Sequence, residues 1–393
     1  MTKRTRDLVK RSDETPAAAA GGAPAKGALA QAAPGQETPA SNAPPTEYFP
    51  IPLANLHAEE HAGIRFYVRL ADGQHYLPYG DSDLALTSRH KEELEQRGIR
   101  YVYITAEDKD AFLGGLEEHL GDIVTDAAMD PLEKARILYD CMAQRSAQAL
   151  ENPRAQESVA RVPALFEPVV DYLAGGPVRL AHLSTCMSFN YRTHTHSTNV
   201  CLLGLALGLR LGLSSEELIH LGTGLLLHDV GKAEIDRAIL GKLEPLSEEE
   251  WQIVRTHPTR GVQYLEEAGL TDAPVLQVVG HHHERCTGKG YPDGLAERQI
   301  HLFAKIAGLV DVFDALTTER VFRRALGSFP AVKTMQNQMR ADFSPLLFRE
   351  LVLLLGSSHM NEVLSARSAD ELAQGRAHAL ETSMVRPDTR AAA

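Results

Sequence analysis

At 393 residues the chain has room for two domains and their linkers, and a hydrophobic content of 44% is enough for a sizeable buried core. Forty basic against 52 acidic residues give a net charge of −12, which argues against a general nucleic-acid binder while leaving room for a local basic pocket on a phosphate ligand. Cys141, Cys186, Cys201 and Cys286 are widely spaced and form no CxxC pair, so they read as free thiols of a reducing compartment.

The first residues, MTKRTRDLVKRSDE, are basic but carry no apolar stretch, so they are not a secretory signal. The most apolar run, residues 200–213, contains Arg210 and falls short of a membrane span. A cytoplasmic protein without a membrane span is expected. Residues 1–47 are rich in Ala, Pro, Gly and Ser and hold too little apolar surface to offset the entropy of ordering, so a disordered tail is predicted there.

Residues 48–112 change in texture. The stretch 64–70 alternates like a strand, 71–74 reads as a turn, and 75–79 resumes the strand. Thr87 can cap a helix that ends at Gly98, and residues 100–104 follow as another strand. The segment is predicted to be a small α+β domain that holds no cluster of ligand-type residues, a docking or sensory unit. Residues 113–180 show helical periodicity in two segments starting near Pro131 and Pro153, since proline favours a first helical turn. They are expected to form a helical linker that could also carry a homodimer contact.

From 181 to 355 nearly everything reads as helix. One helix runs from about Thr195 to Gly212. Ser214 with Glu217, and Ser247 with Glu250, have capping-box spacing and open two more, the first running apolar into His228 and Asp229. Residues 273–282 and 300–318 supply two further helices, the second strongly amphipathic. The segment 356–393 is polar and Ala-rich, a fraying helix or tail. The fold class is therefore mainly α: a helical bundle behind a small α+β domain and a helical linker.

His228 and Asp229 close an apolar helix, where polar groups are costly unless paired or metal-bound. Consecutive helical side chains diverge by about 100°, so both could reach one cation or the carboxylate could bridge two. His196, His257, His282, His283 and Asp311 add five N or O ligands from four other segments. The loop that follows, CTGKGYP, joins backbone freedom at Gly288 and Gly290 to a stiff exit at Pro292.

In this order the motifs resemble the HD-GYP family, phosphodiesterases of cyclic di-GMP within the HD metal-hydrolase superfamily. The matching residues are His196, then Leu227 to Lys232 (LHDVGK), His257-Pro258 with Gly261, His282 to Arg285 (HHER), and Gly288 to Pro292 (GKGYP). Asp311 to Thr317 (DVFDALT), with Arg320 and Arg323, completes the pattern. The N-terminal domain resembles the small uncharacterised domain often found ahead of that family. The resemblance implies an all-helical HD-type bundle with two divalent metals. His196, His228, Asp229 and Asp311 would hold one, and Asp229 would bridge to a second completed by His257, His282 and His283. Relatives with a third metal carry Glu four positions before the first His, where this chain has Arg192. Iron or manganese ranks first by resemblance, with zinc also compatible with imidazole and carboxylate donors.

Asp229 and Lys232 would carry the chemistry, Lys232 by pairing with a non-bridging phosphate oxygen as charge develops. Lys232, Arg285, Gly290, Tyr291, Arg320 and Arg323 would contact substrate, a guanidinium fork suiting a phosphate or a guanine. The expected reaction opens cyclic di-GMP to linear pGpG, and on to GMP as a further step. The GYP loop would also offer a docking surface for a diguanylate cyclase-type or other signalling protein. The family loop usually reads DGxGYP, and here Thr287 replaces the Asp. That departure favours one rival, a weak or inactive cyclic di-GMP receptor; an HD phosphohydrolase acting on another nucleotide is the other alternative.

Overall fold

The computed structural model describes residues 48–53, 56, 63–70, 75–79, 87–127, 129–187, 193–319 and 324–356. The expected tail at 1–47, the turn at 71–74, Arg192, Arg320, Arg323 and the segment from 357 onwards lie outside them.

Four short strands, β1 (Tyr48–Pro52), β2 (Phe66–Arg69), β3 (Tyr76–Tyr79) and β4 (Tyr101–Thr105), form an antiparallel sheet in the order β1-β4-β2-β3. Alternation explains the inward face of β4, where Val102 and Ile104 are buried between exposed or half-buried neighbours. Helix α1 (Ser88–Gln96) begins at Thr87, whose hydroxyl accepts from the His90 amide while the His90 ring accepts from the Thr87 amide. Strand β1 pairs with β4 from Tyr48 against Thr105 to Pro52 against Tyr101, and it was not among the strands read from the sequence.

The remaining described residues are mainly helical. Helices α2 (Ala106–Glu118) and α3 (Leu120–Thr125) lead into α4 (Pro131–Glu151), which Asp130 caps through the amides of Leu132 and Glu133. After a short α5 (Gln156–Val159), α6 (Val162–Ala174) begins beside Pro163, not at Pro153 as the sequence suggested. Pro153 falls in the turn between helices. There follow α7 (Pro177–Cys186), α8 (Thr193–Leu211), α9 (Ser215–Leu227), α10 (Arg237–Leu240) and α11 (Glu248–Val254). The chain then continues through α12 (His257–Glu267), α13 (Ala273–His281), α14 (Leu302–Thr317), α15 (Ser328–Gln338) and α16 (Pro345–Leu355). Both capping boxes form: Ser214 Oγ accepts from the Glu217 amide and Ser247 Oγ from the Glu250 amide, each contributing about 1 kcal/mol.

Helix α8 is the axis of the bundle, with α4, α9, α14 and α16 packed around it. It is buried on every side from His196 to Leu207, as expected of a helix that is apolar all round from Val200 onwards. Each Leu or Val closed off there contributes roughly 1.5–3 kcal/mol of burial free energy. One continuous apolar core joins the sheet to the helices, from Ile51 and Phe66 through Leu138 and Leu205 to Leu355. Among the described residues no helix is long and apolar enough to cross a membrane.

Candidate metal centre

Helix ends bring the site together. His196 stands on the first turns of α8, His228 caps the C-terminus of α9, and Asp229 begins the 3-10 turn that follows. His257 opens α12, His282 caps α13 with His283 just beyond, and Asp311 sits midway along α14. Gly231 allows this assembly, because a Cβ there would collide with the His257 carbonyl and lie 2.6 Å from the Gly261 nitrogen. The turn after Asp229 can therefore lie directly on the start of α12.

All seven side chains meet around Asp229, whose two oxygens face different partners. Oδ2 lies 3.5 Å from His228 Nε2 and 3.8 Å from His196 Nε2, and Asp311 Oδ1 is 3.2 Å from His196 Nε2. Oδ1 lies 3.4 Å from His257 Nε2 and 4.0 Å from His282 Nε2. His283 Nδ1 stands 3.9 Å from Asp311 Oδ2. Three sets, His196-His228-Asp311, His228-Asp229-His282 and His257-His282-His283, each converge ligand atoms within 4.8 Å.

The back side of four of the five rings fixes their chemistry. His228 Nδ1 donates to the Leu225 carbonyl at 2.7 Å, His257 Nδ1 to Val254 at 2.7 Å, and His282 Nδ1 to Val279 at 3.0 Å. His196 Nδ1 donates to Asp314 Oδ2 at 2.7 Å. Carbonyl oxygens only accept, so the Nδ1 proton is set and a neutral ring turns a bare Nε2 lone pair inward. Burial keeps the rings neutral: it lowers His228, His282 and His283, and takes His257 to about 4. Burial alone would raise Asp229, but the Lys232 ammonium, with Nζ at 2.6 Å, leads the opposing influences that hold the carboxyl well below its ordinary range.

Such a pocket of lone pairs and carboxylates is self-repelling without a cation. His228 Nε2 and Asp229 Oδ1 are buried and, among the described residues, have no hydrogen-bond partner. The donor set therefore fits divalent metal ions, with nitrogen and oxygen ligands and no thiolate.

Of the expected substrate contacts, Tyr291 stacks on His283 with ring centroids 4.6 Å apart, and the Arg255 guanidinium lies 5.9 Å from the Tyr291 ring centre. Gly290 passes so close to the HHER turn that a Cβ would sit 2.6 Å from the His283 carbonyl oxygen. Arg285 directs Nη1 to the carbonyls of His282 and Glu284, and its guanidinium lies 5.8 Å from the Phe343 ring centre, so it braces the turn. Thr287 Oγ1 donates to Asp342 Oδ1 at 2.9 Å. His281 stays outside the cluster and meets Asp293 at 3.1 Å.

Sequence reasoning did not select Asp314, Asn199 or Glu284. Asp314 accepts from His196, from Asn199 Nδ2 at 3.2 Å and from Thr318 Oγ1 at 3.1 Å. The spacing was the available signal: Asn199 lies three residues after His196 and Asp314 three after Asp311, which puts each pair on one helix face. Glu284 accepts from the amides of Asp293, Gly294 and Leu295 at 2.8–3.0 Å and ties down the far limb of the GYP loop.

Fold and side-chain cluster together define a mainly helical protein with a candidate metal centre at the meeting of its helix ends. Residues 184–345 match the family model described as HD domain. The fold is shared with Bd1817, described as a HDG"Y"P protein from Bdellovibrio bacteriovorus, at a TM-score of 0.55 and 20% identity over 79% of this chain and 99% of that one. Among curated relatives, the chain is 32% identical over 223 residues to cyclic di-GMP phosphodiesterase PA4108 of Pseudomonas aeruginosa, covering 57% of this chain and 52% of that protein. It is 33% identical over 159 residues to 3'3'-cGAMP-specific phosphodiesterase 3 of Vibrio cholerae, covering 40% of this chain and 34% of the relative. It is 36% identical over 137 residues to the cyclic di-GMP phosphodiesterase response regulator RpfG of Xanthomonas campestris, covering 35% and 36%. The chain thus spans about half the length of the first relative and about a third of the other two. The mainly helical fold and the resemblance read from the motifs are both borne out.

Proposed function

We propose that the protein is a metal-dependent phosphodiesterase of cyclic dinucleotides, with cyclic di-GMP as its substrate and linear pGpG as the first product. The observation that carries the reading is the division of Asp229 between two sets of inward-facing imidazoles, at a centre where buried His228 Nε2 and Asp229 Oδ1 have no donor among the described residues. In this reading His196, His228, Asp229 and Asp311 hold one divalent ion, and Asp229, His257, His282 and His283 hold the other. Two ions so held would lower the pKa of a bound water and neutralise phosphoryl oxygens during in-line displacement.

The chain's own residues do the rest. Lys232, ion-paired with Asp229, keeps that carboxylate charged and sets a cation beside the cluster for a phosphate oxygen. Tyr291, stacked on His283, offers a ring face against which a guanine can pack. Gly290 and the Arg285 brace hold that ring in place. Arg320 and Arg323 would grip the second phosphate or base.

The relatives named for cyclic di-GMP favour that substrate, and the relative named for 3'3'-cGAMP supports a second reading in which a mixed dinucleotide is cleaved. Anaerobic purification, metal analysis and product analysis on a panel of cyclic dinucleotides test both. Linear pGpG from cyclic di-GMP, lost in Asp229→Ala, is the expected result. Full turnover in Asp229→Ala would refute the mechanism, and tight binding of cyclic di-GMP without turnover in metal-loaded protein would make the chain a receptor.

A further inference from the structure

We propose that Tyr139 is a positioning residue for His196, acting from outside the segment that matches the HD domain. The inference rests on the metal-centre reading above. Tyr139 lies on α4, upstream of residue 184, and its hydroxyl donates to Asn199 Oδ1 at 3.1 Å. Asn199 Nδ2 donates to Asp314 Oδ1 at 3.2 Å, and Asp314 Oδ2 receives the His196 Nδ1 proton at 2.7 Å. All four residues are buried.

The polarity of this chain is set at Asp314. Asp314 can only accept, so Asn199 must turn its amide nitrogen towards it and its carbonyl oxygen towards Tyr139. The opposite flip would set two acceptors against each other in a buried place. With the amide locked, Asp314 is held where it fixes the His196 tautomer and ring orientation, which leaves Nε2 pointing at Asp229 and Asp311. A tyrosine on the linking helix thereby reaches a metal ligand through two intermediate side chains. The same helix packs on the sheet-side helix α2 and on α8, so it belongs to the architecture of both halves.

Manganese affinity of the full-length protein, measured by competition with a fluorescent chelator, tests the relay, with metal-free melting recorded alongside. Tyr139→Phe keeps the ring and removes only the donor, and it is expected to weaken manganese binding about 3- to 10-fold. Asn199→Ala, which deletes the middle link, is expected to lose at least as much. In an Asp314→Asn background, Tyr139→Phe should change affinity less than about twofold, since the connection is already broken. A lower metal-free melting temperature with wild-type affinity in Tyr139→Phe would reduce the residue to packing and overturn the inference. The same loss in both backgrounds would overturn it as well. Wild-type protein that binds no manganese, iron or zinc would instead remove the metal-centre reading and this inference with it.

Discussion

His257 Nε2 and His282 Nε2 face each other at 3.2 Å while both rings give their Nδ1 protons to main-chain carbonyls. Two neutral imidazoles in that arrangement present lone pair to lone pair, a contact that a shared cation relieves. Replacing either ring removes one ligand and the need for that cation together. His282→Ala is expected to weaken metal binding by about 100-fold or more. It should also make the melting temperature insensitive to added chelator. For the wild type, saturation at about 100 times Kd stabilises by about 2.7 kcal/mol, which chelation should remove. Calorimetry with and without chelator reads both effects, and an unchanged chelator response in His282→Ala would contradict the assignment.

Stability of the metal-free protein should depend on pH because the site buries neutral histidines. Burial takes His257 to about 4, against about 6.5 in an unfolded chain. Between those values the unfolded state binds more protons, so stability rises with pH through that window. The contribution is fully present above about 6.5, lost progressively as pH falls to about 4, and changes no further below it. For His257 alone it is at most about 3 kcal/mol. Urea midpoints in chelator at pH 7, 5.5 and 4.5 should fall in that order, and His257→Gln should flatten the trend.

The parts of this molecule legible in the sequence are those with local causes. Ser214 and Ser247 announce their helices because a capping box needs only four consecutive residues. His228 and Asp229 stand out because polar groups closing an apolar helix need a reason, and the other five ligand-type residues stand out through the motif order that resembles the HD-GYP family. Strand β1 was not legible: YFPIP has two prolines and no alternation, and only its pairing with β4 makes it a strand. Pro153 and Pro163 both look like helix starts, and packing of Val162, Leu165 and Phe166 chooses the second. Spacing places Asp314 on the Asp311 face of its helix, but its partner His196 is 118 residues away, and Glu284 takes its role from amides 9–11 residues on, relations that only the fold supplies.

Glu284 should control the loop without touching metal content. It accepts three consecutive amides, and Glu284→Gln removes the charge and one acceptor from a buried position. A stability loss of about 2 kcal/mol is expected. Faster amide exchange at residues 293–295 and about tenfold lower turnover should accompany wild-type metal stoichiometry. Unaltered exchange at those three amides would count against the bracing role.

Thr287 and Asp342 make a pair whose polarity can be exchanged. The hydroxyl donates to the carboxylate at 2.9 Å, and the Cys286 amide donates to the Asp342 carbonyl at 3.0 Å, so the loop and the 340–342 turn are joined twice. Thr287→Asp restores the residue usual in the family's loop but sets two carboxylates against each other. At this exposed position the repulsion should cost about 1 kcal/mol, and less at high salt. Asp342→Thr alone should cost a similar amount through the lost hydrogen bond. The double exchange, Thr287→Asp with Asp342→Thr, rebuilds the contact with donor and acceptor reversed and should recover most of the loss. Melting temperatures of the four proteins at low and high salt measure the coupling. Simple additivity of the two single changes would mean that the hydroxyl and the carboxylate do not depend on one another.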